Sequence, residues 1–219
     1  MKSIAIIGKG SSILRCKREY IEKYDEVAIC GRPIFDGYEH LIGEKADYDF
    51  CNCGDPRIYT LELIKKLKII KTYNTGGRVV KRNYKIVPKE LEYEDNTRIQ
   101  LSQYFKDKYK LDPSTGILAI ETILRMNKYN KIGLFGFDLM KEGEPVYYFS
   151  KEEVQDSLQV YFKDGTYSSN GIRLKRSGHD IDLSYKYLID IIKKNKEIEF
   201  EILSNLQFDN YNNLYQIHL

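Results

Sequence analysis

The hydrophobic pattern opens with an uninterrupted apolar run at residues 3–7, a glycine-rich turn at 8–12 and a segment of mixed polarity at 13–24. The run predicts a buried strand and the mixed segment predicts a helix. Strand, glycine turn and helix in this order are typical of a nucleotide-binding α/β fold, because glycine lets the backbone approach a phosphate. Of the dinucleotide fingerprint only the first two glycines, Gly8 and Gly10, are present, so the pattern indicates a nucleotide or phosphate rather than NAD. An ordinary tight turn is the alternative.

The same alternation of elements continues along the chain. Further strands are predicted at residues 26–30, 48–53, 68–73, 131–138 and 199–203, with 79–87 as an optional short strand. Helices are predicted at residues 60–67, within 93–109, at 117–126 and at 183–194. Because strands that alternate with helices form βαβ units, the sequence predicts an α/β domain with a Rossmann-like, mostly parallel sheet flanked by helices.

The most apolar helix, at residues 117–126, follows a proline-led turn that ends in Ser114, Thr115 and Gly116. Serine and threonine are preferred at the start of a helix, where they cap its free N–H groups. The same N–H groups, with two hydroxyls beside them, can bind an anion. We therefore expect an anion site at this helix start; an ordinary capped helix of the core is the alternative.

Regular periodicity is lost between residues 139 and 178, where glycines and serines punctuate a segment rich in tyrosine and phenylalanine. Irregular segments of this length in a compact domain are usually lids or binding loops. We predict a lid at about 139–178; disorder is the alternative, which the many aromatic side chains disfavour.

Length and composition limit the class of protein. The 219 residues fit one α/β domain, so we predict a single domain over 1–219. The net charge of +3 favours small anionic ligands and is too small to indicate nucleic acid. Since no apolar run approaches the roughly twenty residues of a membrane helix, we expect a cytoplasmic protein without a membrane segment.

The cysteines indicate a reducing compartment rather than a metal site. Cys51 and Cys53 form a single C-x-C pair without a second pair or nearby histidines, which does not fit zinc. All four cysteines lie in or beside predicted strands and helices, so we expect free buried thiols. No metal or other cofactor is predicted.

Separated motifs resemble those of the sialyltransferases, in the same order. Residues 4–11, with 37–39 and 43–45, resemble the long sialyl motif. Residues 113–118, with Gly136 and Phe137, are similar to the short motif and give the closest match. Residues 147–149 and 178–182 resemble the third and very short motifs. The resemblance extends to the eukaryotic glycosyltransferase family 29 and to bacterial family 42, and it covers most of residues 4–185.

The resemblance implies a variant GT-A fold and an enzyme that transfers sialic acid, or a related acidic sugar, from a CMP-sugar to a hydroxyl of a glycan or other acceptor, with inversion and without a metal. It implies His179 as the general base, since an imidazole titrates near neutral pH. It also implies that the donor is bound by residues from several segments: Gly8, Gly10, Ser11, Asn52, Ser114, Thr115, Gly116, Tyr147 and Tyr148.

Two residues depart from the family pattern. Gly31 stands where the families usually have an asparagine, and Ser184 stands where the very short motif expects a glutamate; Asp180 or Asp182 would then orient the imidazole. Asp180 and Asp182 also mimic a metal-binding Asp-x-Asp, although helix capping is the simpler interpretation. The departures leave open a catalytically inactive nucleotide-binding or regulatory module. A nucleic-acid binder that uses the basic, tyrosine-rich lid is a further alternative, which the small net charge disfavours.

Overall fold

The structure of the protein is a computed structural model. The structure describes residues 1–31, 34–51, 65–75, 92–94, 97–139, 148 and 180–217. The strands of these residues are β1 (Lys2–Ile7), β2 (Glu26–Cys30), β3 (Tyr48–Cys51), β4 (Lys71–Asn74), β5 (Glu92–Glu94), β6 (Tyr129–Phe135), β7 (Glu199–Leu203) and β8 (Leu214–Gln216). They form one sheet in the order β5-β4-β3-β2-β1-β6-β7-β8. Every neighbouring pair is parallel, which confirms the predicted α/β class.

The described helices are a 3-10 helix (Ser11–Arg15), α1 (Arg18–Glu22), α2 (Glu39–Ile42), α3 (Thr97–Tyr109), α4 (Thr115–Arg125) and α5 (Ile181–Lys194); residues 65–67 are also helical. The prediction of one helix over residues 13–24 is wrong. The backbone is extended at Cys16 and Lys17, between the 3-10 helix and α1. Each short helix buries one isoleucine, Ile13 or Ile21. The extended break between the helices therefore places two separate apolar side chains in the core, where a single helix would present one continuous apolar face.

Helices cover both faces of the sheet, as a parallel sheet requires. On one face α3, α4 and α5 pack over alternate residues of β1, β2, β3, β6 and β7, including Ile4, Ile6, Phe50, Leu134 and Phe200. On the other face the residues between these, including Ala5, Ile7, Val27 and Ile29, pack against the 3-10 helix, α1 and α2. Cys16, Cys30 and Cys51 are buried, and no disulfide joins any of these described cysteines, in agreement with the prediction for these three; Cys53 lies outside the described residues.

The sequence does not predict the last strand. Residues 199–203 are expected to end the sheet, but β8 pairs with β7 beyond them. The side chain of Asn213 joins this tail to the core by donating to the carbonyls of Ile192, Asn195 and Ile198 at 2.9, 3.0 and 3.1 Å. A strand of three residues is too short a pattern to distinguish from a loop.

The strand order identifies the edge of the sheet where a ligand is expected. From β1 the chain moves through β2 to β5 on one side, then returns to place β6 on the other side of β1. After β1 the chain therefore continues toward β2, and after β6 it continues toward β7 on the opposite side, which makes this place a topological switch point. Ligands of open parallel sheets bind outside the carboxyl ends of the strands at such a point. No described helix is long and apolar enough to cross a membrane.

Candidate functional site

The glycine turn after β1 is packed against the turn after β6. The amide of Gly8 donates to Phe135 O at 2.7 Å, and the amide of Gly10 donates to Gly136 O at 2.9 Å. A Cβ atom at Gly8 would lie 2.5 Å from Gly136 O, so no larger residue fits there. These two glycines allow the two backbone segments to approach each other closely. Their amides are engaged inside the protein, and their predicted contact with the donor stays a prediction.

Asp138, which sequence reasoning did not single out as a site residue, connects three segments at this edge. Its buried carboxylate accepts hydrogen bonds from the amide of Ser12 at 2.8 Å and from the amide of Asn205 at 2.7 Å. The hydroxyl of Ser204 also donates to it, at 3.2 Å. Only the fold brings residues 12, 138 and 205 together, so no local signal in the sequence could have found this contact.

Ser11 lies in the same network. The side-chain amide of Asn205 donates to Ser11 Oγ at 3.0 Å. This bond links the first residue of the 3-10 helix to the segment that follows β7. Ser11 is half-buried, and its predicted role in binding the donor stays a prediction.

The start of α4 is the second part of the site. Ser114 is the N-cap, and its hydroxyl accepts from the amide of Ile117 at 3.4 Å, which confirms the predicted cap. Thr115 and Thr75 share a hydrogen bond of 3.1 Å between their hydroxyls. Because Thr75 immediately follows β4, this bond places the helix start at the carboxyl edge of the sheet. Gly116 lies under Phe137: a Cβ atom there would be 2.8 Å from the ring.

Tyr148 is the one described residue of the segment 140–179. Its amide donates to Lys9 O at 3.0 Å and its hydroxyl donates to Ile34 O at 2.5 Å. Its ring makes an edge-to-face contact with Tyr38, with centroids 4.9 Å apart. Tyr148 is therefore buried beside the glycine turn. Its hydroxyl is engaged by a backbone carbonyl, and a direct contact with the donor stays a prediction.

The start of α5 lies at the same edge as the start of α4. Both helices end within a few residues of the amino end of the strand that follows, and both pack along the sheet, so both begin near its carboxyl edge. The hydroxyl of Tyr187 donates to the carboxylate of Glu121 at 2.9 Å, a contact between the seventh residue of each helix. The two helices therefore begin at a similar position along the direction of the strands.

Asp180 caps α5 through a bond from the amide of Leu183 at 2.9 Å, as its sequence context predicts. Ser184, where the resemblance expects a glutamate, donates its hydroxyl to Asp180 O at 2.7 Å. Three predicted site residues lie outside the described residues: Asn52, Tyr147 and His179. Among the residues that the structure does describe, no group of three or more His, Cys, Asp or Glu side chains could hold a metal ion.

The buried charges at the opposite, amino edge of the sheet are paired. Glu26 contacts Lys2 at 2.7 Å and Lys128 at 2.8 Å, and it accepts from the Tyr129 hydroxyl. Burial by itself would raise the pKa of this carboxyl, but hydrogen bonds from Lys128, Lys2 and Tyr129 lower the pKa of Glu26 to about 2. These charges lie at the ends of the strands opposite the site, so we assign them to stability.

Structural comparison places the fold among known enzymes. The sialyltransferase CstII from Campylobacter jejuni, solved with the substrate analogue CMP-3FNeuAc, matches over 93% of this chain and 82% of its own, with a TM-score of 0.65 and 18% sequence identity. A structure of the same enzyme type with CMP matches over 98% and 94%, with a TM-score of 0.60 and 16% identity. A mammalian sialyltransferase, solved with Gal-beta-1-3GalNAc-ortho-nitrophenol, matches over 91% and 68%, with a TM-score of 0.52 and 15% identity. This chain has the sialyltransferase fold.

No protein family profile and no curated protein sequence matches the chain. The likeness is therefore one of fold, and it agrees with the order of motifs in the sequence. In this sialyltransferase fold, the segments that resemble the long and short motifs lie at one edge of the sheet: the glycine turn and the start of α4 with Phe137 above it. Asp180, from the segment that resembles the very short motif, begins a helix at the same edge.

Proposed function

We propose that this chain is a CMP-sugar-dependent glycosyltransferase that transfers sialic acid, or a related acidic sugar, to a hydroxyl group of an acceptor. The observation that carries the proposal is the convergence at the switch point of the glycine turn, the turn after β6 and the start of α4. They come from three parts of the sequence and resemble two motifs of one family: the glycine turn resembles the long motif, and the other two segments resemble the short motif. The same fold in other proteins holds CMP or a CMP-sugar analogue.

The start of α4 is suited to an anionic donor. A helix start carries free N–H groups and partial positive charge, and here a threonine hydroxyl and a glycine adjoin it. A sialic acid donor offers a carboxylate and a single phosphate. We assign Ser114, Thr115 and Gly116 to the carboxylate or the phosphate of the donor. The half-buried position of all three leaves them accessible from the edge of the sheet.

The proposed reaction is a single displacement. The acceptor oxygen forms a bond to the anomeric carbon of the sugar while the bond from that carbon to the phosphate oxygen breaks, and the electron pair leaves with CMP. The configuration at the anomeric carbon is thereby inverted. CMP leaves as a monophosphate, whose charge a few N–H and O–H donors are able to stabilise without a metal ion.

We propose that His179 is the general base that removes the proton from the acceptor hydroxyl. An imidazole has an ordinary pKa of about 6.5 and is therefore a suitable base near neutral pH. His179 immediately precedes Asp180, whose helix begins at the carboxyl edge of the sheet. Asp180, whose side chain also caps the helix, or Asp182 would be the carboxylate that orients the base.

The second candidate function is a nucleotide-binding module without catalysis. Ser184 favours it, because its buried hydroxyl is engaged by Asp180 O in place of the expected glutamate. Both candidates predict CMP binding, and only the first predicts transfer.

Two measurements test the proposal. Thermal unfolding with CMP, CDP, UDP, NAD and ATP tests the nucleotide class, since a ligand that binds only the folded state raises the midpoint. CMP should give the largest rise. Transfer and hydrolysis of several CMP-sugars then test catalysis, with the His179→Ala variant alongside. We expect His179→Ala to abolish transfer and keep CMP binding. CMP binding without turnover of any donor would favour the inactive module, and undiminished transfer by His179→Ala would remove the assignment of the base.

A further inference from the structure

Gly31, which departs from the family pattern, lies beside the side chain of Lys9 in the glycine turn. Gly31 directly follows β2 and has a backbone φ of +62°, a conformation that glycine adopts without strain. A Cβ atom at this position would lie 3.3 Å from both Cε and Nζ of Lys9. The end of the Lys9 side chain therefore lies across the carboxyl end of β2, in space that a side chain at position 31 would enter.

Backbone hydrogen bonds hold the glycine turn in place. Lys9 lies between Gly8 and Gly10, whose amides are both bonded to the turn after β6. The carbonyl of Lys9 accepts from the amide of Tyr148 at 3.0 Å. Three backbone hydrogen bonds within three residues hold the lysine in place, so its long side chain starts from a fixed point and reaches along the edge of the sheet from β1 toward β2.

The charge of Lys9 acts at this edge. Burial raises the pKa of the Cys30 thiol, nearby Asp49 raises it further, and the positive charge of Lys9 opposes both. Cys30 is the last residue of β2, so this influence agrees with the contact at Gly31. Lys9 itself is half-buried, and its turn lies at the edge of the sheet where the donor is proposed to bind.

We infer that Lys9 is a donor-binding residue whose ammonium group contacts the phosphate of the CMP-linked donor. The inference rests on the proposed function and extends it to a residue that the motif resemblance does not assign. The glycine turn cannot supply the amides of Gly8 and Gly10 to the phosphate, because these donate to Phe135 O and Gly136 O. An ammonium group at the same turn offers the phosphate a charged hydrogen-bond donor in their place, and the absence of a side chain at Gly31 leaves it room.

The test compares ligands with and without the phosphate. The affinities of CMP and cytidine are measured by titration calorimetry for the wild type, Lys9→Met and Lys9→Arg. Lys17→Met, at an exposed lysine that precedes α1, is the matched control. We expect Lys9→Met to weaken CMP about ten-fold or more and to leave cytidine within about two-fold, because a charged hydrogen bond to the phosphate is lost. Lys9→Arg should keep most of the affinity for CMP, and the control should match the wild type.

Equal CMP affinity in Lys9→Met and the wild type would overturn the inference while leaving the proposed function intact. An equal loss for CMP and cytidine would also overturn it, since the effect would not involve the phosphate. Failure of the wild type to bind CMP would contradict the proposed function and this inference together. Thermal midpoints of all variants, measured without ligand, exclude misfolding as the cause of a loss.

Discussion

Asp138 accepts a hydrogen bond of 2.8 Å from the amide of Ser12, a residue 126 positions earlier in the chain. This bond connects the end of β6 to the 3-10 helix that follows the glycine turn. The other carboxylate oxygen accepts from the amide of Asn205, which follows β7. One side chain thus fixes the carboxyl ends of three neighbouring strands, β1, β6 and β7, at the edge where we propose that the donor binds.

Asp138→Asn tests this role of the carboxylate. Asparagine has one acceptor oxygen and would turn an NH2 group toward one of the two backbone amides, so one buried donor loses its partner. We expect the free energy of unfolding to fall by about 1 to 3 kcal/mol, measured by urea denaturation. Asp36→Asn, at a side chain that is 90% exposed, is the control and should change it by less than about 0.5 kcal/mol. Equal stability of Asp138→Asn and the wild type would contradict the prediction.

Gly8→Ala tests the close approach of the two turns. The added methyl group would lie 2.5 Å from a backbone oxygen, that of Gly136, so the backbone itself has to move. We expect a loss of about 2 kcal/mol or more, in the range of overpacked cores. Gly37→Ala is the comparison: the site is open, and only the positive φ of 86° is unfavourable, at about 1 to 2 kcal/mol. A loss at Gly8 smaller than that at Gly37 would count against the packing argument.

Thr75 and Thr115 should be coupled. Their hydroxyls share a hydrogen bond of 3.1 Å between the end of β4 and the start of α4. A double-mutant cycle with Thr75→Val and Thr115→Val isolates this bond, because valine keeps the shape and removes the hydroxyl. We expect a coupling energy of about 0.5 to 1.5 kcal/mol in the free energy of unfolding. Strictly additive effects would show that the bond does not stabilise the start of α4.

Glu26 should make stability depend on pH in the acid range. Its pKa falls from 4.5 to about 2 in the folded protein, so the ionised form is favoured by folding. The resulting stabilisation is fully present above pH 4.5 and is lost as pH falls toward 2. It amounts to about 3 kcal/mol.

Glu26→Gln removes this dependence and is the variant to compare. We expect the wild type to be more stable than Glu26→Gln at pH 7, and the difference in their free energies of unfolding to shrink as pH falls from 4.5 toward 2. Chemical denaturation at several pH values measures it. Parallel curves for the two proteins across this range would show that the ion pairs of Glu26 do not produce the effect.

Local patterns in the sequence predict most of the elements near the site. The apolar run of β1 followed by Gly8 and Gly10 indicates a strand and a tight turn, and both are present. Ser114 is a helix cap in the sequence and in the structure. Such features depend on residues within one or two turns of backbone, so a single segment contains the information. The prediction of one helix over residues 13–24 is wrong because the break in it depends on which side chains pack into the core. The strand β8 is missed because three residues are too few to show a periodic pattern.

The sequence by itself determined the α/β class, most of the strands and helices near the site, and the motif order that resembles the sialyltransferases. Only the tertiary structure decided the position of β6 beside β1, and with it the switch point. It also decided that Asp138 reaches Ser12 and that the side chain of Lys9 crosses Gly31. The physical reason is that secondary structure follows from side-chain periodicity between near neighbours. Contacts between the ends of distant strands depend instead on how the whole sheet is ordered and packed.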